Sequence, residues 1–265
     1  MRLFLTAALT LLPGLAAAQE VWGYSDDPDT DSFVASNIVT TFYHEAGHAF
    51  VDVLQIPVLG REEDAADTLM SLFMEQLWDA DSALYLMYDV TYAYALTINE
   101  YGGAVDEESY ADVHGLDQQR YYNAVCLYVG ADPEARSEVA VEMGLPESRA
   151  EWCGDEFAQA QANWAAFLDP ITPGDGTPGF VLADPEATDP ITLSLIPEIE
   201  QLNGLYRLPV EVTVKVEPCG EANAFYYSGD TTITMCTEYA EEMLRLWEGA
   251  ESGAADESGD SGDGE

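Results

Sequence analysis

Tyr43-His44-Glu45-Ala46-Gly47-His48 is the stretch that decides how the rest of the chain is interpreted. Residues four apart lie on one face of an α-helix, so His44 and His48 can offer imidazole nitrogens to one metal ion. Glu45 lies one position further around the helix, where its carboxylate can reach a water molecule bound to that metal. Two histidines, one carboxylate and an open fourth position form the usual hydrolytic zinc site.

A following helix is expected to supply the third ligand from an acidic residue. Glu63 and Asp67 are four apart, so they share one face of that helix. Glu62 and Asp64 are competing ligands that flank Glu63 on other faces, although acidic residues at a helix start also suit the N-terminal dipole without any metal. His-Glu-x-x-His also occurs by chance on charged helices. Two of the three histidines in the chain fall in this pattern, however, which favours a metal site.

Together the two patterns resemble the zincin metallopeptidases of the gluzincin type, in which a second helix carries Glu-x-x-x-Asp. The resemblance implies that Glu63 is the third zinc ligand and that Asp67 orients His44. The link between His48 and Glu63 is shorter than in thermolysin-like members, so the turn between the helices must be compact. A metzincin would need a third histidine shortly after His48, and the sequence has none there.

A longer resemblance covers most of the chain after its N-terminal segment. The runs PVLGREEDAAD (57–67), LDQQRYYN (116–123) and CGEANA (219–224) are similar to DUF4344, a bacterial family of predicted metallopeptidases without a characterised function. This resemblance implies a peptidase with one zinc ion that acts on a peptide or protein substrate. It does not imply which substrate is cleaved.

A donor to the oxyanion of the tetrahedral intermediate is expected beyond the third ligand. His114 is a candidate, because zincins often use a histidine or tyrosine there and such electrostatic help is a large catalytic term. The alternative for His114 is a residue at a helix N-terminus with local hydrogen bonds. Tyr122 is a second candidate donor, with Arg120 and Tyr121 as alternates. In a chain with so few cations, Arg120 better fits a structural pair with a carboxylate.

The charge balance restricts the partners of this protein. The chain has 50 acidic and 8 basic residues, for a net charge of −42. A phosphate-binding surface needs clustered lysine and arginine, so neither nucleic acid nor an anionic membrane surface is expected as a partner. Such a charge keeps a protein soluble and favours basic ligands. It also fits a salty exterior, where screening weakens self-repulsion.

The N-terminus has the pattern of an export signal. An apolar run at 3–15 follows Arg2 and precedes three alanines at 16–18, which predicts a signal peptide at 1–18 with cleavage after Ala18. The run is too short to span a membrane. We therefore expect an exported protein, periplasmic or extracellular, with no membrane insertion. No feature of the sequence predicts its oligomeric state.

Four cysteines in an exported chain favour two disulfides, for which three connectivities exist. Cys126 and Cys153 flank a predicted helical hairpin, and Cys219 and Cys236 flank a predicted β-hairpin. Local pairing within each couple is therefore the expected connectivity. A four-cysteine metal site is the rival interpretation, but the sequence has no C-x-x-C spacing to support it.

The predicted fold is α+β, with a mainly helical zincin-like region at 19–170 and a small antiparallel sheet in the C-terminal part. The active-site helix is expected from Phe33 to Leu54, with Ser32 as its N-cap. A segment rich in proline and glycine at 171–192 is predicted to be a loop or linker. A β-hairpin and helix at 193–248 complete the domain or form a separate binding module, and an acidic tail at 249–265 is predicted to be disordered.

The function that these patterns favour is zinc-dependent hydrolysis of peptide bonds, with Glu45 as the general base toward the metal-bound water. The main alternative is a secreted interaction protein that zinc stabilises without turnover. A structural zinc site is closed by four protein ligands and would not need Glu45, which argues against that alternative. A third interpretation, a binder of cations or basic peptides, depends on the acidic charge alone.

Overall fold

The computed structural model describes residues 23–100, 102–172 and 179–259, with side chains described as far as residue 252. The predicted signal peptide at 1–18 lies outside the described residues, as does the tail at 260–265. Nine helices and a small four-stranded sheet in the described part confirm the α+β, mainly helical class. The elements are α1 Pro28–Val53, α2 Glu62–Leu77, α3 Ala80–Glu100, α4 Glu107–Ala111, α5 Asp117–Ala131, α6 Ser137–Glu142, α7 Glu147–Leu168, β1 Phe180–Leu182, α8 Pro190–Leu205, β2 Val212–Glu217, β3 Ala224–Tyr227, β4 Thr232–Cys236 and α9 Thr237–Gly259.

Helix α1 is the central element and contacts α2, α3, α8, α9, β3 and β4. It begins at Pro28, where the missing N–H is tolerated, and the Asp27 carboxylate accepts the Thr30 N–H at 2.9 Å. The predicted start at Phe33 with Ser32 as N-cap is therefore wrong, because the Asp27-Pro28 pair starts the helix more than a turn earlier.

The close approach of α1 and α2 depends on small residues. A Cβ atom added at Gly47 would lie 2.9 Å from the Cα atom of Ala66, so this position accepts only glycine without a backbone shift. The eight residues from Leu54 to Arg61 make the compact turn between the helices. This contact brings the His-Glu-x-x-His helix against the helix that carries Glu63.

The sheet has the strand order β1-β2-β4-β3, in which β1, β2 and β4 are parallel and β3 pairs antiparallel with β4. The prediction of an antiparallel sheet is wrong except for the β3–β4 hairpin, because the sequence pattern of a strand does not define its direction. Strand β1, Phe180–Leu182, lies inside the predicted linker at 171–192, and α8 begins there at Pro190. The linker prediction is wrong for these residues, since three residues are too few to show a strand period.

The helical region and the C-terminal region share one apolar core. Phe180 of β1 packs its ring against Phe42 at 5.9 Å and Phe50 at 5.7 Å, both on α1. Phe50 also meets Phe73 of α2 at 6.0 Å and Tyr206, after α8, at 5.6 Å. These rings anchor α1 from the side opposite its histidines.

The two disulfides join Cys126 to Cys153 and Cys219 to Cys236, the pairing that the sequence predicts. The first links α5 to α7, and the second links the segment before β3 to the end of β4. In the described part of the chain, no helix is both long enough and apolar enough to cross a membrane.

Helix α9 continues to Gly259, so the prediction of a disordered tail from residue 249 is wrong as far as residue 259. Alanine and glutamate are good helix formers, and the helix extends without interruption from a part that packs on α1. The acidic composition indicated exposure to solvent, which does not by itself exclude a helix.

Candidate metal centre

Three side chains from α1 and α2 converge on one point. His44 Nε2 and His48 Nε2 are 3.2 Å apart, and each lies 3.1 Å from Glu63 Oε2. Ligand atoms at about 2.0–2.1 Å from a tetrahedral zinc ion lie roughly 3.3–3.4 Å from one another. The three atoms are therefore spaced as a ligand set, and His44, His48 and Glu63 could hold a metal ion.

The other ring nitrogen of each histidine contacts a carboxylate. His44 Nδ1 lies 2.8 Å from Asp67 Oδ1, and His48 Nδ1 lies 2.8 Å from Glu62 Oε1. Arg120 donates two hydrogen bonds of 2.8 Å to Asp67, as its predicted role in a carboxylate pair requires. The carboxylates accept the Nδ1 protons, which leaves both Nε2 atoms available as ligands.

The electrostatics of the centre keep its carboxylates ionised. Burial acts to raise the pKa of Glu63, but its contacts with His114, His44 and His48 hold the pKa well below its usual range. Burial also opposes ionisation of Asp67, but the adjacent Arg120 and the hydrogen bond with His44 together lower the pKa of this carboxyl group. Burial lowers the pKa of His44, yet its hydrogen bonds to Asp67 and Glu63 raise it to about 9. Asp67 and Glu63 thus favour a positive charge at His44, carried either by a proton on its ring or by a metal ion that replaces the proton at Nε2.

Glu45 is 6% exposed and lines a cavity of 1170 Å³ together with His44 and His48. Burial raises the pKa of Glu45, while the two histidines act in the opposite direction. Glu45 therefore borders the same cavity as the ligand cluster and is close enough to interact electrostatically with both histidines.

His114 lies in the same cavity, on the segment between α4 and α5. Its Nε2 atom is 2.9 Å from Glu63 Oε2, and its Nδ1 atom is 3.1 Å from Asp112 Oδ1. The hydrogen bond to Glu63 raises the pKa of His114. All three histidines of the chain therefore meet at Glu63, although they are up to 70 positions apart in the sequence.

Tyr122 does not lie in this cavity. It lines a separate depression that also includes Arg61 and Arg149, and its ring packs against Tyr121 at 5.4 Å. The structure therefore does not bring Tyr122 to the metal centre as the sequence predicts. Helix α5 turns Arg120 toward Asp67 and directs the two tyrosines elsewhere.

The cavity has a second wall, which residues of the C-terminal region form. Strand β3, at the edge of the sheet, contacts α1, and its residues line the cavity. The Tyr226 hydroxyl donates to Asp52 Oδ2 at 2.8 Å, which ties the strand to α1 one turn after His48. Tyr239 of α9 also lines the cavity and accepts a hydrogen bond from Thr41 at 2.9 Å. No local pattern marks these residues, because they meet α1 only through tertiary packing.

The cavity is strongly acidic. Among its described lining residues, the carboxylates outnumber the permanent cations, of which Arg120 is the one present and is paired with Asp67. The carboxylates in the lining are Glu45, Asp52, Glu62, Glu63, Asp112 and Asp117. This lining favours metal cations and neutral or basic ligands.

A centre of two histidines and one carboxylate, with a buried glutamate beside it, is the arrangement of a hydrolytic metal site. The chain belongs to the DUF4344 family, described as "Putative metallopeptidase", which it matches over residues 11–168 and 194–261. No curated protein and no solved structure matches the chain. Family and site agree on the class of protein, a candidate metallopeptidase.

Proposed function

We propose that the protein is an exported zinc metallopeptidase that hydrolyses peptide bonds. His44, His48 and Glu63 would hold one zinc ion, and Glu45 would act as the general base. The observation that carries this proposal is the convergence of three ligand atoms within 3.2 Å beside a glutamate that is only 6% exposed. The membership in a metallopeptidase family supports it.

The residues around the metal position would have separate roles in peptide hydrolysis. When bound, zinc supplies Lewis-acid activation of the scissile carbonyl and of water. Glu45 accepts a proton from the attacking water and then delivers it to the nitrogen of the leaving amine. Asp67 and its partner Arg120 hold His44 in one orientation throughout, so that the ligand does not turn away.

His114 would donate a hydrogen bond to the oxyanion of the tetrahedral intermediate. Its ring lies in the cavity beside Glu63, and Asp112 contacts its Nδ1 atom, which directs the Nε2 atom toward the site. Its Nε2 atom lies 2.9 Å from Glu63 Oε2 and would exchange this contact for one with the oxyanion, whose developing charge it would stabilise. Tyr122 is not part of this proposal, because it lines a different depression.

The edge strand β3 would align the substrate. The order of the sheet places β3 at one edge, next to α1 and along the cavity. An extended peptide that adds to such an edge forms main-chain hydrogen bonds and presents alternate side chains to the cavity. The proposed substrate is therefore an extended segment of a peptide or protein, neutral or basic in charge because the lining is acidic.

Export is the last part of the proposal. Two disulfides are compatible with an oxidising compartment outside the cytoplasm. The sequence pattern of residues 1–18 supports the same conclusion.

The test is cleavage of a peptide library by the zinc-loaded protein and by Glu45→Gln. Removal of a general base lowers turnover by about 10²–10⁴-fold, while zinc content should stay unchanged because Glu45 is not a ligand. Glu198→Gln is a matched control, since Glu198 is a buried glutamate in α8 that does not line the cavity. Retained activity in Glu45→Gln would remove this residue from the mechanism. Zinc binding without cleavage by any of these proteins would favour the non-catalytic interaction protein instead.

A further inference from the structure

We propose that Glu62 is a positioning residue for His48, in the way that Asp67 positions His44. This inference rests on the proposed metal centre. The two contacts are equal in length, with 2.8 Å between Glu62 Oε1 and His48 Nδ1 and 2.8 Å between Asp67 Oδ1 and His44 Nδ1. Each histidine of the centre thus has its own carboxylate.

The contact decides which nitrogen of His48 is available to a metal. A neutral imidazole carries one N–H and one lone pair, and a carboxylate can only accept. With the proton held on Nδ1 by Glu62, the lone pair is on Nε2, the atom that lies 3.1 Å from Glu63 Oε2. Glu62 therefore keeps His48 in the tautomer and orientation that the ligand cluster needs.

The same geometry argues against Glu62 as a ligand. It contacts the ring nitrogen of His48 that faces away from the cluster, whereas Glu63 contacts the Nε2 atoms of both histidines. Adjacent residues on a helix point about 100° apart. The first turn of α2 can therefore place Glu63 between the rings and Glu62 on the outer side of His48.

The two positioning carboxylates differ in their surroundings. The Asp67 side chain is 17% exposed and receives two hydrogen bonds from Arg120, whereas the Glu62 side chain is 49% exposed and lies at the cavity wall. Water competes more strongly for an exposed carboxylate. Loss of Glu62 should therefore weaken the centre less than loss of Asp67 does.

The experiment measures zinc affinity by competition with a chromophoric chelator, in the full chain and without any peptide. Loss of a carboxylate that holds a metal-binding histidine typically weakens metal binding about 10–100-fold. We expect Glu62→Ala to lie near the lower end of that range and Asp67→Ala near the upper end. Glu62→Gln should keep more affinity than Glu62→Ala, because its amide oxygen can still accept the Nδ1 proton.

Asp64→Ala and Asp64→Asn are the matched controls. Asp64 flanks Glu63 on its other side in the first turn of α2, but it is exposed, does not line the cavity and is not part of the ligand cluster, so these variants remove the same charge outside the centre. They should leave zinc affinity within about twofold of wild type, since an exposed charge contributes little at physiological ionic strength. Equal affinities of Glu62→Ala and Asp64→Ala would overturn the proposal. So would equal losses in Glu62→Gln and Glu62→Ala.

The visible spectrum of the cobalt-substituted protein gives a second readout. A role for Glu62 in orienting His48 predicts a shifted spectrum in Glu62→Ala and an unchanged one in Asp64→Ala. Peptide cleavage is assayed separately. Tight zinc binding that depends on Glu62, with no cleavage, would refute the proposed function and leave this inference standing. Cleavage with unaltered zinc affinity in Glu62→Ala would refute this inference alone.

Discussion

Two buried glutamates lie at helix α1, one on its cavity side and one on its core side, and the groups that contact them differ. On the cavity side, Glu45 is 6% exposed and lies near His44 and His48. On the core side, Glu198 of α8 is 3% exposed and accepts a hydrogen bond from the Tyr43 hydroxyl, which itself accepts one from Trp78 at 3.0 Å. Burial raises the pKa of both glutamates.

The comparison shows how one helix serves two purposes. Tyr43, His44 and Glu45 are consecutive, and successive side chains on a helix point about 100° apart. One therefore enters the core, one meets Asp67 and one faces the cavity. The core side of α1 should then contribute stability and the cavity side metal binding and chemistry. Mutations on the two sides should separate these properties.

The largest expected effect comes from the core side. Phe42→Ala should lower the free energy of unfolding by about 3–5 kcal/mol, because it leaves a cavity among packed rings. Phe42 is fully buried and contacts Phe180 at 5.9 Å. His44→Ala, half a turn further along α1, should instead abolish tight zinc binding and change the stability of the zinc-free protein much less. Chemical denaturation of the zinc-free variants measures their stability, and their zinc content after zinc loading measures metal binding. If His44→Ala lost much stability in the zinc-free state and Phe42→Ala lost none, the assignment of stability to the core side and metal binding to the cavity side would be wrong.

A smaller effect is expected at Tyr43 and Glu198. Tyr43→Phe removes the hydroxyl that donates to a buried carboxyl group, which should cost about 1–3 kcal/mol. Glu198→Gln should act in the opposite direction at neutral pH, because the amide is uncharged. The measurement is thermal unfolding of both variants beside wild type. Unchanged stability in Tyr43→Phe would show that Glu198 does not depend on this donor.

The pH dependence of Glu198→Gln has a defined sign. Burial, opposed by the Tyr43 hydrogen bond, raises the pKa of Glu198 above its ordinary value. The folded protein therefore holds this proton more tightly than the unfolded chain, and wild type loses stability as pH rises from the unfolded pKa to the folded one. The variant lacks this loss. The free energy of unfolding of Glu198→Gln should therefore equal that of wild type below about pH 4, where both side chains are uncharged. It should exceed that of wild type by a constant amount once pH is above the raised pKa of Glu198. A difference that grows toward acidic pH would contradict this prediction.

The smallest effect is expected where β3 is tied to the cavity side of α1. Tyr226→Phe removes one hydrogen bond to Asp52, worth about 0.5–1.5 kcal/mol, which corresponds to roughly a 2–12-fold change in an equilibrium constant. If β3 aligns the substrate, KM should rise by this factor, with zinc affinity and kcat unchanged. Tyr227→Phe is the control, because Tyr227 is the next residue of β3 and is 50% exposed. Equal KM values in the two variants would show that the hydrogen bond between β3 and α1 does not contribute to substrate binding.

Much of the fold was predictable wherever a local period carried the information. Apolar spacing reports local geometry, and it predicts helices at about 61–78, 82–98 and 193–205 and strands at 209–217, 224–227 and 231–236. Helices α2, α3 and α8 and strands β2, β3 and β4 lie close to these ranges. Strand β1 was missed because three residues in a segment of prolines and glycines form a strand only through pairing with β2, 32 positions later. The parallel direction of β1 and β2 was missed for the same reason.

In the candidate site, too, some features were predictable from local spacing and others depended on tertiary packing. The spacing of His44, His48, Glu63 and Asp67 is visible in the sequence, since each pair lies four apart on a helix. The contact of Glu62 with His48 was not predictable, because it depends on the angle at which α2 meets α1. Tyr122 was a reasonable candidate by position, but the rotation of α5 turns it away from the cavity.

The sequence by itself determined which groups of this protein can bind a metal and which helices carry them. It also indicated the local pairing of the cysteines and the acidic character of the surface. Helical periodicity, charge and short chain distances are properties of neighbouring residues, so they can be derived without knowing the fold. The tertiary structure alone decided how α1 and α2 meet at Gly47, which carboxylate faces which ring nitrogen, and which strand borders the cavity. Those features depend on close packing between residues far apart in the chain, and the local sequence pattern does not specify that packing.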